Sequence, residues 1–290
     1  MTFKLTYTSN TYITSYIKIN SCTSQCRYSN DIYLLKFLIK LFHKNQPDTL
    51  YIFISKEYFY HLSSLITDYN VYLIPFTKEW LSKNSYFWKY FSREKDIINS
   101  NRFKNIISNG KINNYYHCIN PKEAIFQHLK IDFIEYVINN FKNTKVYTWI
   151  DFNYFYKLDI IPEKLLDITK FNLNTVTFQL TSNLENIRAN PFYYFIDDGK
   201  SSTSILSSCI IGSRISLFQL INYYKKIFRY NQKVLKISST VTMILIQLFF
   251  KNNNLFSFYR STSNNTLMFY YQMKLKNYKR QPIIEIFNSL

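Results

Sequence analysis

Asp151 and Asn153 combine residue types and spacing that suit chemistry, because they follow a β-rich run and stand two positions apart. In an extended segment, side chains two positions apart point in the same direction, so both would face one ligand. Carboxylate and amide oxygens are hard donors that suit Mg²⁺ or Mn²⁺, and such an ion would neutralise a diphosphate. The spacing is therefore compatible with a metal-assisted site. On spacing alone, however, the favoured interpretation is that Asp151 caps a turn, as aspartates at strand ends often do.

Two basic residues are candidates for binding phosphate groups. Lys130 lies on a predicted helix and Arg214 follows Gly212-Ser213, and basic groups stabilise a departing diphosphate. Solvated surface positions are the alternative for both. The pair Asp197-Asp198 precedes a glycine, which is typical of a turn. The histidines have no catalytic spacing, and we expect structural or exposed positions for all four of them, namely His43, His61, His117 and His128.

The elements that position these residues alternate between short β-rich runs and longer helical patterns. This alternation predicts an α/β protein whose mainly parallel sheet is flanked by helices. Strands are predicted at 11–19, 50–55, 71–76, 146–150, 175–180, 192–196 and 205–211. Helices are predicted at 31–42, 56–66, 121–141, 215–228 and 239–250, and helical turns with loop at 80–118. We expect one domain over residues 1–290.

Asp151 has a special position in this arrangement. The strand Val146–Ile150 ends at Asp151, and α/β sheets bind ligands beyond the carboxyl ends of their strands. The preceding helix has a clear start, because Asn120 can cap it and Pro121 suits its first position. Asp151 therefore falls where α/β proteins usually build their chemistry.

Composition excludes several functional classes. The chain has only three glycines, so the glycine-rich phosphate loops of P-loop enzymes and Rossmann dehydrogenases cannot be formed. Its abundant Asn, Lys, Ile, Tyr and Phe are typical of AT-rich genomes, including those of some viruses. Four scattered cysteines indicate a reducing compartment, which we take to be the cytoplasm. The apolar runs are too short for a bilayer span, so we expect a soluble protein.

The net charge of +18 is concentrated toward the C-terminus. No acidic residue occurs between Asp198 and Glu285, whereas that stretch contains many lysines and arginines. Such a segment can attract nucleic acid, an anionic membrane surface or a phosphorylated ligand. Lysine accumulation through AT drift is the alternative, and it predicts only weak, salt-sensitive binding to nucleic acid.

Several short motifs resemble those of the HtrL/YibB family of bacterial glycosyltransferase-like proteins. The family has a proline, a helix containing a lysine, and a W-I-D-x-G signature, and the matching residues here are Pro121, Lys130 and Trp149-Ile150-Asp151-Phe152. Cys209-Ile-Ile-Gly-Ser213 is similar to the glycine-bearing strand of the family. The resemblance implies a glycosyltransferase A-like fold. It also implies Asp151 as catalytic residue, a metal at Asp151 and Asn153, and nucleotide contacts from Lys130, Trp149, Gly212 and Arg214.

The sequence departs from the family at two places. Asn153 stands where the family usually has glycine, and Ser239-Thr240-Val241 stands where it tends to have Asp-Asp-Gln. Three hypotheses follow. The first is a transferase that moves a sugar from a nucleotide sugar to a glycan acceptor, and the second is a catalytically inactive relative that binds a ligand. The third is a basic nucleic-acid-binding protein.

Overall fold

The computed structural model describes residues 10–17, 39, 48–64, 66, 70–109, 120–141, 144–152, 171–180 and 205–260. The predicted strand at 192–196 lies outside these residues, as does the predicted helix at 31–42 apart from the helical Ile39. None of the helices within the described residues is long and apolar enough to span a membrane. The single domain over residues 1–290 stays a prediction.

Seven strands of the described residues form one sheet. They are β1 (Asn10–Tyr16), β2 (Thr49–Ser55), β3 (Val71–Phe76), β4 (Val146–Ile150), β5 (Val176–Leu180), β6 (Ile205–Ser213) and β7 (Phe256–Arg260). The prediction located the first six within a few residues, but missed β7. Strands β1, β2, β4 and β5 are largely buried and rich in β-branched and aromatic residues, as expected for strands covered on both faces of a sheet.

The strand order is β3-β2-β1-β4-β6-β5-β7. All neighbouring pairs are parallel except those of β6, which runs antiparallel to both β4 and β5. The predicted fold class, an α/β protein with a mixed, mostly parallel sheet flanked by helices, is therefore confirmed.

Eight helices accompany the strands in the described residues. They are α1 (Lys56–Ser63), α2 (Lys78–Asn84), α3 (Phe91–Asn99), α4 (Asn101–Asn109), α5 (Pro121–Phe126), α6 (Leu129–Asn140), α7 (Arg214–Tyr230) and α8 (Val241–Lys251). Helices α2 to α4 occupy most of the region where only helical turns and loop were predicted. Side chains of α2, α6, α7 and α8 form the larger hydrophobic core on one face of the sheet, and Leu62 of α1 belongs to the core of the other face.

The predicted helix at 121–141 is two helices, because the chain tightens at Gln127 and His128. The His128 amide donates to the Ile125 carbonyl at 3.0 Å, and the His128 carbonyl accepts from the Ile131 amide at 3.0 Å. The buried His128 ring bonds the Tyr224 hydroxyl at 2.6 Å and the Ser239 carbonyl at 2.9 Å. Because a carbonyl only accepts, Nε2 of His128 carries the proton and Nδ1 accepts from Tyr224. Tertiary contacts thus end one helix and begin the next.

Acid should weaken the packing of the buried His128 ring against Tyr224 and Ser239. Burial lowers the pKa of His128 from 6.5 to about 3, so the neutral ring stabilises the fold fully above pH 6.5 and loses that contribution as the pH falls toward 3. We expect the difference in unfolding free energy between wild type and His128→Phe to shrink by about 1.4 kcal/mol per pH unit in this window. Urea titrations at several pH values measure it. A difference that does not change with pH would mean that His128 already titrates normally in the fold.

Candidate active site at the carboxyl end of strand β4

Asp151 lies at the point where the sheet changes its direction of winding. From β1 the chain leads to β2 and β3 on one side, while β4 pairs with β1 on the other side. Ligands of open α/β sheets bind beyond the carboxyl ends of the strands at this switch point. Asp151 directly follows Ile150, the last residue of β4, and therefore occupies the expected place.

A lysine from the preceding helix meets this aspartate. The Lys130 Nζ atom lies 2.9 Å from Asp151 Oδ1, and the two side chains are 12% and 29% exposed. Lys130 is the second residue of α6, and α6 and β4 run in opposite directions, so the start of the helix faces the end of the strand. The two predicted site residues are therefore in direct contact. The two opposite charges of this partly buried pair neutralise each other.

Trp149 orients the same carboxylate. Its indole Nε1 donates to Asp151 Oδ1 at 2.6 Å, and its ring lies 5.6 Å from Lys130 Nζ. Alternation along β4 puts Trp149 and Asp151 on the face that α6 covers. Trp149 is almost fully buried, so its described contacts fix Asp151 and Lys130 rather than offer a surface to a ligand.

Strand β6 supplies a residue that the sequence did not indicate. The Ser207 carbonyl and hydroxyl accept from Lys130 Nζ at 3.1 and 3.3 Å. The Asp151 amide donates to the Ser208 carbonyl at 2.8 Å, which extends the β4–β6 pairing to the site. The beginning of β6 reaches the carboxyl edge only because β6 is antiparallel. A parallel β6, which the sequence equally permitted, would have brought its other end here.

Gly212 and Arg214 lie away from this cluster. Gly212 pairs with Tyr147 near the start of β4, whereas Cys209 pairs with Ile150 at its end. Gly212 is four positions further along β6 than Ser208, and the distance between them is roughly 13 Å at about 3.3 Å per residue. Arg214 begins α7 at that far end and lies 5.4 Å from the Phe218 ring. The structure does not bring either residue to Asp151.

The glycine has a packing role instead. A Cβ atom at Gly212 would lie 2.9 Å from Ser216 Oγ and 3.0 Å from Leu217 Cγ, both on the first turn of α7. Contacts this short would require the side chains of Ser216 and Leu217 to shift. The close turn from β6 to α7 therefore accounts for the glycine at this position.

The remaining candidates divide into structural residues and residues outside the described ranges. His128 is structural, as expected. Asn153, Asp197-Asp198, His43 and His117 lie outside the described residues, as does the side chain of His61.

The described residues of the site do not by themselves form a divalent-metal site, and Asn153, the second predicted ligand, lies outside them. Lys130 and Trp149 both donate to Asp151 Oδ1, so an ion that binds this oxygen has to displace an ammonium group and an indole N–H. Within the described ranges, no three Asp, Glu, His or Cys residues stand close enough together to hold a metal. Hard cations need several oxygen ligands at once.

Aromatic rings stand beside the site on the other face of the sheet. Tyr16, at the carboxyl end of β1, packs edge to face against Phe152 and Tyr58, each at 5.4 Å between ring centroids. Phe152 immediately follows Asp151 and is only partly buried. These rings form an aromatic cluster on the face of the sheet opposite to the Lys130–Asp151 pair.

Comparison with known proteins adds little to this geometry. No family model matches the chain, and no curated protein matches it. A solved structure, 4-diphosphocytidyl-2C-methyl-D-erythritol synthase from Anaerococcus prevotii, is similar with a TM-score of 0.39 and 8% identity. The match covers 90% of this chain and 91% of that one. So distant a likeness carries no argument about function, which rests on the residues themselves.

Proposed function

We propose that the chain is a glycosyltransferase-like protein that binds a nucleotide sugar at the carboxyl edge of β4 and transfers the sugar to a glycan acceptor. The observation that carries this proposal is the Lys130–Asp151 pair at the switch point of the sheet. Membership of the HtrL/YibB family belongs to the same proposal, as does a cytoplasmic location.

Each residue of the cluster has a role in this proposal. The Lys130 ammonium contacts the diphosphate and stabilises its charge as it departs. The Ser207 hydroxyl, which lies 3.3 Å from Lys130 Nζ, donates to the same phosphate. Asp151, fixed by Trp149, holds Lys130 in place and faces the reacting sugar. Gly212 and Arg214 are left out of the donor site because they lie at the other end of β4.

An inactive relative is the alternative within the same fold. The segment that replaces the acidic cluster of the family has structural contacts, since the Ser239 carbonyl bonds His128 and the Thr240 hydroxyl caps α8 by accepting from the Met243 amide at 3.2 Å. No carboxylate belongs to this segment, so it supplies no general base. On this alternative the chain binds the nucleotide sugar and does not consume it.

One experiment separates these alternatives. A thermal-shift panel of nucleotide sugars, with Mn²⁺ and with EDTA, identifies the donor that raises the melting temperature. Release of free nucleotide from that donor is then measured with a mixture of glycan acceptors. Stabilisation with turnover supports the transferase, and stabilisation without turnover supports the inactive relative. No stabilisation by any donor would count against both.

A groove on α7 favours a second candidate function, which is polyanion binding. The groove has a volume of about 330 Å³ and is lined by Tyr86, Asn222, Lys225, Lys226 and Arg229. The four α7 residues follow the spacing i, i+3, i+4, i+7, so they form one stripe along the helix. Glu135 neutralises Lys225, and no described ion pair neutralises Lys226 or Arg229. The charges can attract a nucleic-acid backbone without reading its sequence.

Charge reversal tests the groove. We expect Lys226→Glu combined with Arg229→Glu to weaken binding to duplex DNA and to reduce the slope of log K against log salt by about 2, because two phosphate contacts are lost. Fluorescence anisotropy over a salt series measures both values. Lys78→Glu combined with Lys83→Glu on exposed positions of α2 is the control with the same change of charge. An equal loss in both variants would mean that only the net charge of the protein matters.

A further inference from the structure

We infer that the Lys130 ammonium takes the place of a divalent metal, so that the proposed donor site binds a nucleotide diphosphate without a metal ion. The inference rests on the proposed function and specifies how its site works. In this arrangement Asp151 is a positioning residue that anchors a built-in cation.

One oxygen of the Asp151 carboxylate already accepts two hydrogen bonds from the protein. Asp151 Oδ1 accepts from Lys130 Nζ at 2.9 Å and from Trp149 Nε1 at 2.6 Å. Both donors come from the protein and sit in a half-buried setting. A divalent ion at this oxygen would lie beside an ammonium group, where like charges repel strongly because water screens them poorly.

The charges of Lys130 and Asp151 balance without a metal ion. A divalent metal would add two positive charges to a site whose described ligand set holds one carboxylate. Lys130 adds one positive charge, which cancels the negative charge of that carboxylate. The described pair is therefore neutral before a ligand binds. A diphosphate then gains a charge-assisted hydrogen bond from Lys130.

The bonds of Lys130 leave a place for the phosphate. Its three N–H groups have three described acceptors, and the bond to Ser207 Oγ is the longest of them at 3.3 Å. A hydroxyl can both donate and accept, whereas Asp151 and the Ser207 carbonyl only accept. A phosphate oxygen can therefore replace Ser207 Oγ at Lys130 and accept from that hydroxyl as well. The anchor to Asp151 stays intact.

The test begins with the metal alone. We expect the electron paramagnetic resonance signal of free Mn²⁺ to be unchanged by wild-type protein. A loss of this signal with wild type, absent with Asp151→Asn, would overturn the inference. This measurement needs no nucleotide, so it can overturn the inference even if no nucleotide sugar binds. In that case the proposed function fails separately.

The second measurement is calorimetric titration of the donor identified by thermal shift, in EDTA and in Mn²⁺. We expect equal affinity in both buffers for wild type. Lys130→Met should lose binding in both, and Lys122→Met, which changes a lysine of α5 outside the cluster, should retain it. Wild-type binding that EDTA abolishes would overturn the inference but leave the proposed function standing.

Discussion

Lys130→Met is expected to weaken the binding of the nucleotide-sugar donor by ten- to a hundredfold. A charge-assisted hydrogen bond contributes about 1.5–3 kcal/mol, and each 1.4 kcal/mol is about tenfold in affinity. Methionine keeps most of the volume of the lysine stem but cannot contact a phosphate. Isothermal titration calorimetry measures the dissociation constant.

Two controls make this result specific. Lys130→Arg keeps the positive charge but replaces the compact ammonium with a planar fork, and should retain part of the affinity. Lys122→Met should bind like wild type. Circular dichroism and melting curves establish that each variant is folded. Undiminished donor affinity in folded Lys130→Met would remove this lysine from the site.

Phe133→Ala is expected to reduce the free energy of unfolding by about 3–5 kcal/mol, because it removes a buried aromatic ring and leaves a cavity. Phe133 is fully buried on α6, and its ring stacks on Phe53 of β2 at 4.1 Å between centroids. It also contacts Phe76 at 5.5 Å and Trp80 at 6.0 Å. The ring thus joins α6 to two strands and to α2. Urea denaturation measures the loss.

The matched control is Phe250→Ala, which removes the same ring from an exposed position at the end of α8. We expect a change within about 0.5 kcal/mol, as is usual for surface substitutions. A loss below about 1 kcal/mol for Phe133→Ala would contradict the packing of α6 on the sheet, because cavities left by large aromatic rings cost more than this. Since α6 also carries Lys130, such a result would call the site into question.

The sequence predicted most of the fold because buried strands and amphipathic helices have local signatures. The strand at 71–76 was located to the residue, and those at 50–55 and 205–211 to within two residues. Features set by distant contacts were missed. The break at His128 depends on Tyr224 and Ser239, far along the chain. Asp132 likewise fixes the turn after α2 by accepting from the amides of Tyr86 and Phe87.

The site was predictable in part. Asp151 stands out at a strand end, whereas the predicted helix at 121–141 placed Lys130 in its middle rather than near the start of a helix. A 12-residue helix is about 18 Å long and a five-residue strand about 16 Å, so a short turn between them returns the chain to the edge where the helix began. The sequence did not indicate Ser207, because nothing local distinguishes an antiparallel β6 from a parallel one.

The ion pair changes the stability expected of Asp151→Asn. An uncompensated Asp151 would destabilise the ligand-free site, and Asp151→Asn would then leave the melting temperature unchanged or higher. Lys130 already compensates this charge at 2.9 Å. The stability argument for the substitution therefore no longer holds, and Asp151→Asn is informative through metal and nucleotide binding.

Fluorescence of Trp149 tests the location of the proposed site most directly. The chain has three tryptophans, so Trp80→Phe combined with Trp88→Phe leaves Trp149 as the only tryptophan. Its indole N–H donates a hydrogen bond to Asp151. We predict a saturable change in its emission on titration with the donor nucleotide sugar in EDTA, with the same midpoint as calorimetry. Calorimetric binding without any change at Trp149 would show that the ligand binds elsewhere and would contradict the assignment of the Asp151–Lys130 pair as the donor site.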